Sequence, residues 1–354
     1  MKKLFIILIA LLIGVGGGYL IYSKFFNGSA SLSKKVVTAD NYKEPFMWGV
    51  TMRPNALGNY NDQIWNKQLK VASNLGIKWV RMGWSYDAPD QFDFHDPIIE
   101  SIKSKGLDVY LVIEPSTIFE NVQDPYKDGY DNALRIASHY KGQIKYYQIM
   151  NEAGSNALID GLHSGENESD YDPTKYQRTR DWIKGASEGV AKADPSAYRV
   201  LTNQWLQTGF LEKLKKDNIE YDIIGWDWFS DMGWMRDKKL ADNTLLIDKL
   251  RSFNKPIILA EVNQRPEGKN GQKGQNEEDQ AAFIKEMANW SVDAKLKGFM
   301  VLELLDVTNS GKGYTDYYGI VEAKKSSGGS YVPGDPRKAF TVFQEIIKNY
   351  NEKN

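Results

Sequence analysis

The chain alternates short apolar runs with longer stretches in which apolar residues recur every three or four positions. Short apolar runs are typical of parallel strands that are covered on both faces, and the longer stretches are typical of amphipathic helices. We predict strands at residues 46–51, 78–83, 108–113, 145–150, 198–202, 222–228, 256–260 and 298–304. The pattern therefore predicts an α/β protein in which strands and helices alternate.

Glycines mark the points where predicted helices give way to strands. We predict left-handed helix C-caps, where a missing Cβ removes a steric penalty, at Gly76, Gly106, Gly142 and Gly298. The dipeptide Asp335-Pro336 is predicted to open the last helix, because proline is tolerated in a first turn.

The predicted connections are of unequal length. Helix-to-strand turns are short, whereas three strand-to-helix segments are long, at residues 153–173, 262–276 and 306–335. Functional residues of a (β/α)8 TIM barrel lie on strand-to-helix loops, so the pattern favours a single barrel over residues 45–351. A doubly wound sheet is the main alternative, but no predicted strand is followed by a GxGxxG or P-loop motif.

Composition narrows the classes of function. The 354 residues are 42% hydrophobic, which is ample for a full core, and the net charge of -1 gives no indication of a nucleic-acid partner. Cysteine is absent, which excludes disulfides, thiol catalysis and Cys-ligated zinc. The histidines have no metal-ligand spacing, so we predict neither a metal nor another cofactor. The 10 Trp and 20 Tyr residues are consistent with a sugar-binding cleft.

The N-terminus is predicted to target the chain to a membrane. Lys2 and Lys3 precede an uncharged run at residues 4–22, which is long enough to span a bilayer as a helix. Residues 1–24 are therefore a transmembrane anchor or a cleaved signal peptide, and residues 25–44 form a linker. Either alternative predicts an extracytoplasmic domain that is membrane-anchored or secreted. The oligomeric state is left open.

Two glutamates end predicted strands. Glu152 follows Asn151 at the end of the fourth strand, and Glu261 ends the seventh. A carboxylate is costly to bury, but at the carboxyl end of a parallel barrel strand it can face a shared cleft. Two such carboxylates are what glycosidic bond cleavage requires.

The positions of these glutamates carry a resemblance to a known superfamily. An Asn-Glu pair ending strand four and a Glu ending strand seven resemble clan A, the retaining glycoside hydrolases on (β/α)8 barrels. The resemblance covers roughly residues 44–350. It implies that Glu261 is the nucleophile and that Glu152 is the acid/base. It also implies that Asn151 hydrogen-bonds the sugar 2-hydroxyl and that Arg81, near the end of strand two, contacts the nucleophile.

The sequence departs from the superfamily at two strands. On strand six, where members often carry a His and a Tyr that bonds the nucleophile, Trp226 and Trp228 occupy the expected positions. On strand eight, the expected Trp platform is missing and Glu303 is present. Glu303 and Glu114 are both candidates for lining the cleft, and Asp227 is a weaker one.

Aromatic residues near the predicted strand ends suggest several sugar subsites. We predict substrate binding by Trp48, Trp84, Trp205, Trp226 and Trp228, together with Glu303. Tyr314 in the last long loop belongs to the same set, and a glycine-rich loop tip is predicted at residues 268–274.

These expectations favour an enzyme, and we predict a retaining, endo-acting hydrolase of a β-linked polysaccharide or oligosaccharide. The main alternative is a membrane-tethered barrel that binds carbohydrate without cleaving it. A barrel isomerase or aldolase is disfavoured, since no phosphate-binding loop follows strands seven and eight and no core strand ends on a convincing Lys. The sequence does not specify the sugar.

Overall fold

We analysed a computed structural model of the chain, which describes residues 36–54, 62–86, 91–117, 119–265, 276–307, 317–327 and 331–354. The predicted signal or anchor segment, the loop tip at 268–274 and Tyr314 lie outside these ranges. Among the described residues, no helix combines the length and apolarity needed to cross a membrane.

The described core is a closed barrel of eight parallel strands in sequential order. The predicted (β/α)8 fold is therefore confirmed, and every predicted strand overlaps an observed one. The strands are β1 (Met47–Thr51), β2 (Trp79–Gly83), β3 (Asp108–Ile113), β4 (Tyr146–Ile149), β5 (Tyr198–Gln204), β6 (Ile223–Phe229), β7 (Ile257–Asn263) and β8 (Gly298–Val301).

Helices surround the barrel. They are α1 (Asp62–Asn74), α2 (Gln91–Ser104), α3 (Pro125–His139), α4 (Pro173–Ala193), α5 (Thr208–Lys216), α6 (Leu246–Arg251), α7 (Glu277–Asp293) and α8 (Lys338–Asn351). An antiparallel hairpin of β9 (Val321–Lys325) and β10 (Tyr331–Pro336) lies between β8 and α8. Asp335 and Pro336 thus end a strand, which corrects their prediction as a helix start.

Two apolar layers hold the barrel together. Side chains that alternate outward along the strands pack against the helices in the larger layer. The inward-facing layer fills the barrel interior and includes Tyr110, Tyr146 and Met300. Tyr42 joins this inner layer, and its hydroxyl lies 2.8 Å from that of Tyr146.

Tyr42 packs with the barrel although it precedes the first strand. Residues from Val37 onward belong to the same compact unit as the barrel. The predicted left-handed glycines are found at Gly76, Gly106 and Gly142. Gly298 instead lies inside β8, where an added Cβ would come within 2.8 Å of the Met47 Cβ.

Candidate active site

An irregularity in β7 aims Glu261 into the barrel mouth. Ile258 and Ala260 belong to the inner layer and Leu259 to the outer layer, so strict alternation would turn residue 261 toward the helices. The pairing of β7 shifts register with both neighbouring strands between Leu259 and Val262. A bulge of this kind re-aims a side chain, and Glu261 accordingly lines a cavity at the mouth.

The backbone after β4 positions Glu152. Met150 and Glu152 have positive φ angles of 65° and 43°, which residues other than glycine rarely adopt. Hydrogen bonds hold this turn: the Asn151 N–H donates to Glu114 Oε1 at 2.8 Å, and the Glu152 N–H donates to Thr202 Oγ1 at 3.1 Å. Unfavourable backbone conformations held in this way are often found at functional sites.

The structure brings the two glutamates together. One carboxylate oxygen from each of Glu152, Glu261 and Asp227 lies within 4.8 Å of the others. Such an approach of the nearest oxygens is compatible with the about 5–5.5 Å found between the carboxyl groups of retaining glycosidases, and it lies below the about 6.5–9.5 Å of inverting ones.

Arg81 links the elements of the site. Its Nη1 forms an ion pair with Glu261 Oε1 at 2.6 Å, and its Nη2 donates to Asn151 Oδ1 at 2.7 Å. Gln148 Nε2 donates to the same Asn151 oxygen at 2.8 Å. Because the amide oxygen of Asn151 accepts both bonds, its NH2 group is the part of the amide that can donate to a ligand in the cavity.

Glu152 is suited to hold a proton near neutrality. Burial raises the pKa of Glu152 to about 7, and the negative charge of Glu261 adds to the shift, while Arg81 opposes it. Gln204 Nε2 donates to Glu152 Oε2 at 2.7 Å and fixes the carboxyl group. A carboxyl group with this pKa is half protonated near neutral pH, which general acid/base catalysis requires.

Two further glutamates border the site. Burial raises the pKa of Glu114 to about 7, although the hydrogen bond from the Asn151 N–H acts in the opposite direction. Burial likewise raises the pKa of Glu303 to about 7 despite an ion pair of 2.6 Å with Arg53. Glu303 therefore contacts a cavity-lining arginine, whereas Glu114 lines the cavity itself.

Asp227 is the residue that sequence reasoning undervalued. On β6, Ile223 belongs to the inner layer and Trp226 to the outer one, which places Asp227 inside the barrel mouth. Asp227 pairs in register with Glu261 on β7 and is fully buried. The signal that would have found it is alternation along β6, counted from the inner residue Ile223.

The same alternation corrects three predicted substrate contacts. Trp226 and Trp228 are fully buried in the outer layer, and their indole N–H groups donate to the carbonyls of Trp205 and Gly233. Trp48 also faces the helices, where it packs against Phe299, Phe343 and Tyr350. Side chains that point from a barrel strand toward the helices cannot reach a ligand at the mouth.

Trp84 and Trp205, which were also predicted to bind substrate, each line a cavity. Trp84 lines the cavity that contains Glu261, but one face of its ring is covered by His95, whose ring centroid is 3.9 Å away. Trp205 is half-buried and lines a second cavity. Its ring stacks on that of Trp228 with centroids 5.8 Å apart, and Lys238 Nζ lies 4.3 Å from its centroid.

Two cavities flank the glutamate pair. The first, of about 690 Å³, is lined mainly by the ends of β1, β2 and β3, and it reaches Asn151 and Glu261. The second, of about 610 Å³, is lined by the loop after β4 and by the ends of β5 and β6, including Gln204 and Trp205. Glu261 lines the first cavity, and Gln204, which lines the second, donates a hydrogen bond to Glu152.

The three clustered carboxyl groups are also the residues best placed for a metal ion in the described part of the chain. Cation binding there would compete with Arg81, which already pairs with Glu261 at 2.6 Å. It would also compete with the protons that burial favours on Glu152 and Asp227. The three carboxyl groups are therefore better suited to neutralisation by Arg81 and by bound protons than by a metal ion.

Comparison with known proteins adds evidence on the fold. No protein-family model matches the chain, and no curated protein matches it significantly. Among solved structures, a family 1 β-glucosidase from Thermotoga maritima matches with a TM-score of 0.63 and 13% identity over 87% of this chain and 98% of that chain.

The same bacterial β-glucosidase also matches in ligand complexes. Its complex with cyclophellitol has a TM-score of 0.62 at 12% identity, and its complex with a methoxycarbonyl-substituted glucoimidazole has a TM-score of 0.62 at 14% identity. Each covers 87% of this chain and 98% of the matched chain. Structural matches at such low sequence identity show a shared fold and no more. That fold is the closed (β/α)8 barrel that the sequence predicted.

Proposed function

We propose that this protein is a retaining glycoside hydrolase. The observation that carries the proposal is the pair Glu152 and Glu261, whose carboxylate oxygens lie within 4.8 Å of each other at the carboxyl ends of strands four and seven. Similarity of fold to solved β-glucosidases supports the same class. This short approach fits double displacement better than an inverting mechanism, in which the carboxyl groups lie about 6.5–9.5 Å apart to admit a water molecule.

In the first step, Glu261 attacks the anomeric carbon while Glu152 protonates the departing oxygen. Arg81 keeps a positive charge 2.6 Å from Glu261 and stabilises the carboxylate form that attacks. Asn151 donates from its NH2 group to a sugar hydroxyl. The products of this step are a glycosyl ester on Glu261 and a free leaving-group alcohol.

In the second step, Glu152 acts as the base. It has lost its proton to the leaving group, and it deprotonates the water that attacks the glycosyl ester. The negative charge of Glu261 contributes to the raised pKa of Glu152, so ester formation removes part of that shift. The pKa of Glu152 is thus higher when it must be an acid and lower when it must be a base.

The substrate that we propose is a β-linked oligosaccharide or polysaccharide cleaved internally. Support comes from the cavities of about 690 and 610 Å³ on the two sides of the carboxylates. Each is large enough for at least one sugar ring.

A mechanism-based label tests the proposal directly. The protein is incubated with a panel of activated 2-fluoro glycosides, and peptide mass spectrometry locates any adduct. We expect a covalent adduct on Glu261, and none in Glu261→Ala; Glu345→Ala, at an exposed position on α8, is the matched control. Saturable carbohydrate binding without an adduct or turnover would contradict catalysis and favour a binding barrel instead.

Product stereochemistry provides a second test. A polysaccharide panel identifies a cleaved substrate, and proton NMR then follows the newly released anomeric centre. Retention is expected from double displacement, and inversion would contradict it.

We also propose that the domain is exported, on the basis of the uncharged run at residues 4–22 behind Lys2 and Lys3. Expression of the full chain and of a chain starting at residue 25, followed by cell fractionation, tests this. Full-length protein in the membrane fraction indicates an anchor, shortened protein in the medium indicates a cleaved signal, and full-length protein in the cytosol contradicts export.

A further inference from the structure

Asp227 occupies a position that the proposed double displacement does not use. It lies on β6 directly beside Glu261 on β7, at the point where the register between these strands shifts. Its carboxyl group is fully buried, and one of its oxygens lies within 4.8 Å of oxygens of both Glu152 and Glu261.

The surroundings of Asp227 do not favour a negative charge. Neither carboxyl oxygen has a hydrogen-bond partner of acceptable geometry among the described residues. The charged and titratable groups facing it are Glu261 on β7, Glu152 after β4, Arg81 on β2 and Tyr110 on β3. Arg81 is the single cation among them, and it is already paired with Glu261.

The balance of the electrostatic effects on Asp227 favours the protonated form. Burial raises the pKa of Asp227 well above its usual value, and the nearby Glu261 and Glu152 raise it further, while Arg81 and the Glu261 backbone N–H oppose the shift. The nearest cation is already paired with Glu261, and no donor among the described residues reaches Asp227 with good hydrogen-bond geometry, so a carboxylate here is far more costly than a neutral carboxylic acid.

A neutral carboxylic acid differs from a carboxylate because it can donate a hydrogen bond. The Glu261 carboxylate has several lone pairs, and Arg81 uses Oε1. One oxygen of Asp227 lies within 4.8 Å of a Glu261 carboxylate oxygen, so Glu261 is the acceptor that an O–H group on Asp227 faces from the neighbouring strand.

We propose that Asp227 is a positioning residue that remains protonated through both steps and donates a hydrogen bond to the Glu261 carboxylate. The inference rests on the proposed function for the role of Glu261. The proton stays on Asp227 throughout, and no covalent bond to this residue forms or breaks. The hydrogen bond orients the nucleophile without placing a second negative charge beside it.

The proton on Asp227 can be measured without any enzymatic activity. Infrared spectra of the full chain at about pH 8, where the more weakly perturbed glutamates are mostly ionised, should contain a carboxylic-acid C=O band. Labelling the aspartate carboxyls with carbon-13 should shift this band, and Asp227→Asn should remove it. Asp237→Asn, at an exposed position, is the matched control and should leave it in place.

Kinetics then test the positioning role. Asparagine mimics a neutral, donating aspartic acid, so Asp227→Asn should keep kcat within about 5-fold and leave the alkaline limb of the pH profile unmoved. Asp227→Ala removes the donor and should lower kcat by about 10- to 100-fold with little change in KM. A structural role alone would not separate the two variants in kcat at equal stability.

Several results would overturn the inference. If the labelled wild-type protein has no isotope-sensitive carboxylic-acid band, Asp227 is ionised. This result does not depend on whether the variants fold. A downward shift of the alkaline limb in Asp227→Asn would show the same, because it would mean that a negative charge had been removed from beside Glu152. Stoichiometric binding of Ca²⁺ or Zn²⁺ that Asp227→Asn abolishes would assign the cluster to a metal. If the band is present but the adduct and product tests fail, the proposed function falls and the protonation stands.

Discussion

The Arg81 guanidinium and the Glu261 carboxylate form an ion pair of 2.6 Å in which both side chains are less than a tenth exposed. Arg81 also donates to Gln148 at 3.0 Å and to Asn151 at 2.7 Å. One guanidinium thus ties the end of β2 to the ends of β4 and β7. Its fork-shaped set of donors suits this role better than a lysine would.

Replacing Arg81 by Met should reduce both stability and activity. Breaking a buried pair leaves an uncompensated charge, so we expect the free energy of unfolding to fall by about 3–5 kcal/mol. Activity should fall by on the order of 100-fold or more, since the nucleophile loses its partner. Urea unfolding and kcat/KM measure the two effects.

A double-mutant cycle separates the pair from its surroundings. In Arg81→Met/Glu261→Gln no buried charge of the pair remains unpaired, so this variant should be more stable than Arg81→Met. Equal stability of the two variants would show that leaving Glu261 without its cation costs little.

The pH dependence of the proposed activity should follow Glu152. Protonated Glu152 is needed in the first step, and burial raises its pKa to about 7. We therefore expect kcat/KM to fall as the pH rises through about 7. A pH series on one cleaved substrate measures this limb, and a rate that stays constant beyond about pH 9 would contradict the assignment.

The leaving group should determine how much Glu152 matters. An unactivated sugar alcohol needs protonation as it departs, whereas a dinitrophenolate does not. In Glu152→Ala, kcat/KM should fall by about 10²- to 10⁴-fold for an oligosaccharide and much less for a dinitrophenyl glycoside. Losses of equal size for both substrates would indicate a structural rather than an acid-catalytic role.

Glu303 should make stability fall with rising pH. Burial raises its pKa from 4.5 to about 7 in the folded protein, so between these values the folded chain retains a proton that the unfolded chain has lost. The stabilisation is complete below about pH 4.5 and is lost as the pH rises through about 7.

Comparison with Glu303→Gln isolates this effect. The variant cannot ionise, so its stability relative to the wild type should increase by on the order of 2 kcal/mol between about pH 5 and pH 8. Urea unfolding at several pH values measures the difference, and a constant difference would contradict the raised pKa.

Replacing a tryptophan should affect stability or substrate binding, depending on whether the ring packs against the helices or lines a cavity. Trp226→Ala removes a fully buried ring from the outer layer and should lower the free energy of unfolding by about 3–5 kcal/mol. Trp205→Ala, in the second cavity, should raise KM for long oligosaccharides and leave short aryl glycosides nearly unaffected. Thermal unfolding and KM as a function of chain length distinguish the two roles.

Local sequence pattern determined the barrel and the candidates at its mouth. Eight apolar runs with intervening amphipathic stretches specify parallel strands and helices, because burial on both faces leaves this signature. Carboxyl ends of barrel strands share one face, so Glu152, Glu261 and Arg81 were identifiable from their places along the strands.

Tertiary structure alone decided which side chains enter the mouth and how close they come. Side chains along a strand point alternately to the inside and the outside of the barrel. A shift of one residue therefore exchanges the inward-facing and outward-facing side chains. The bulge in β7 turned Glu261 inward, while uninterrupted alternation on β6 turned Asp227 inward and Trp226 and Trp228 outward. The approach of the carboxylate oxygens to within 4.8 Å and the raised pKa of Glu152 depend on side chains from different strands, which only the closed barrel brings together.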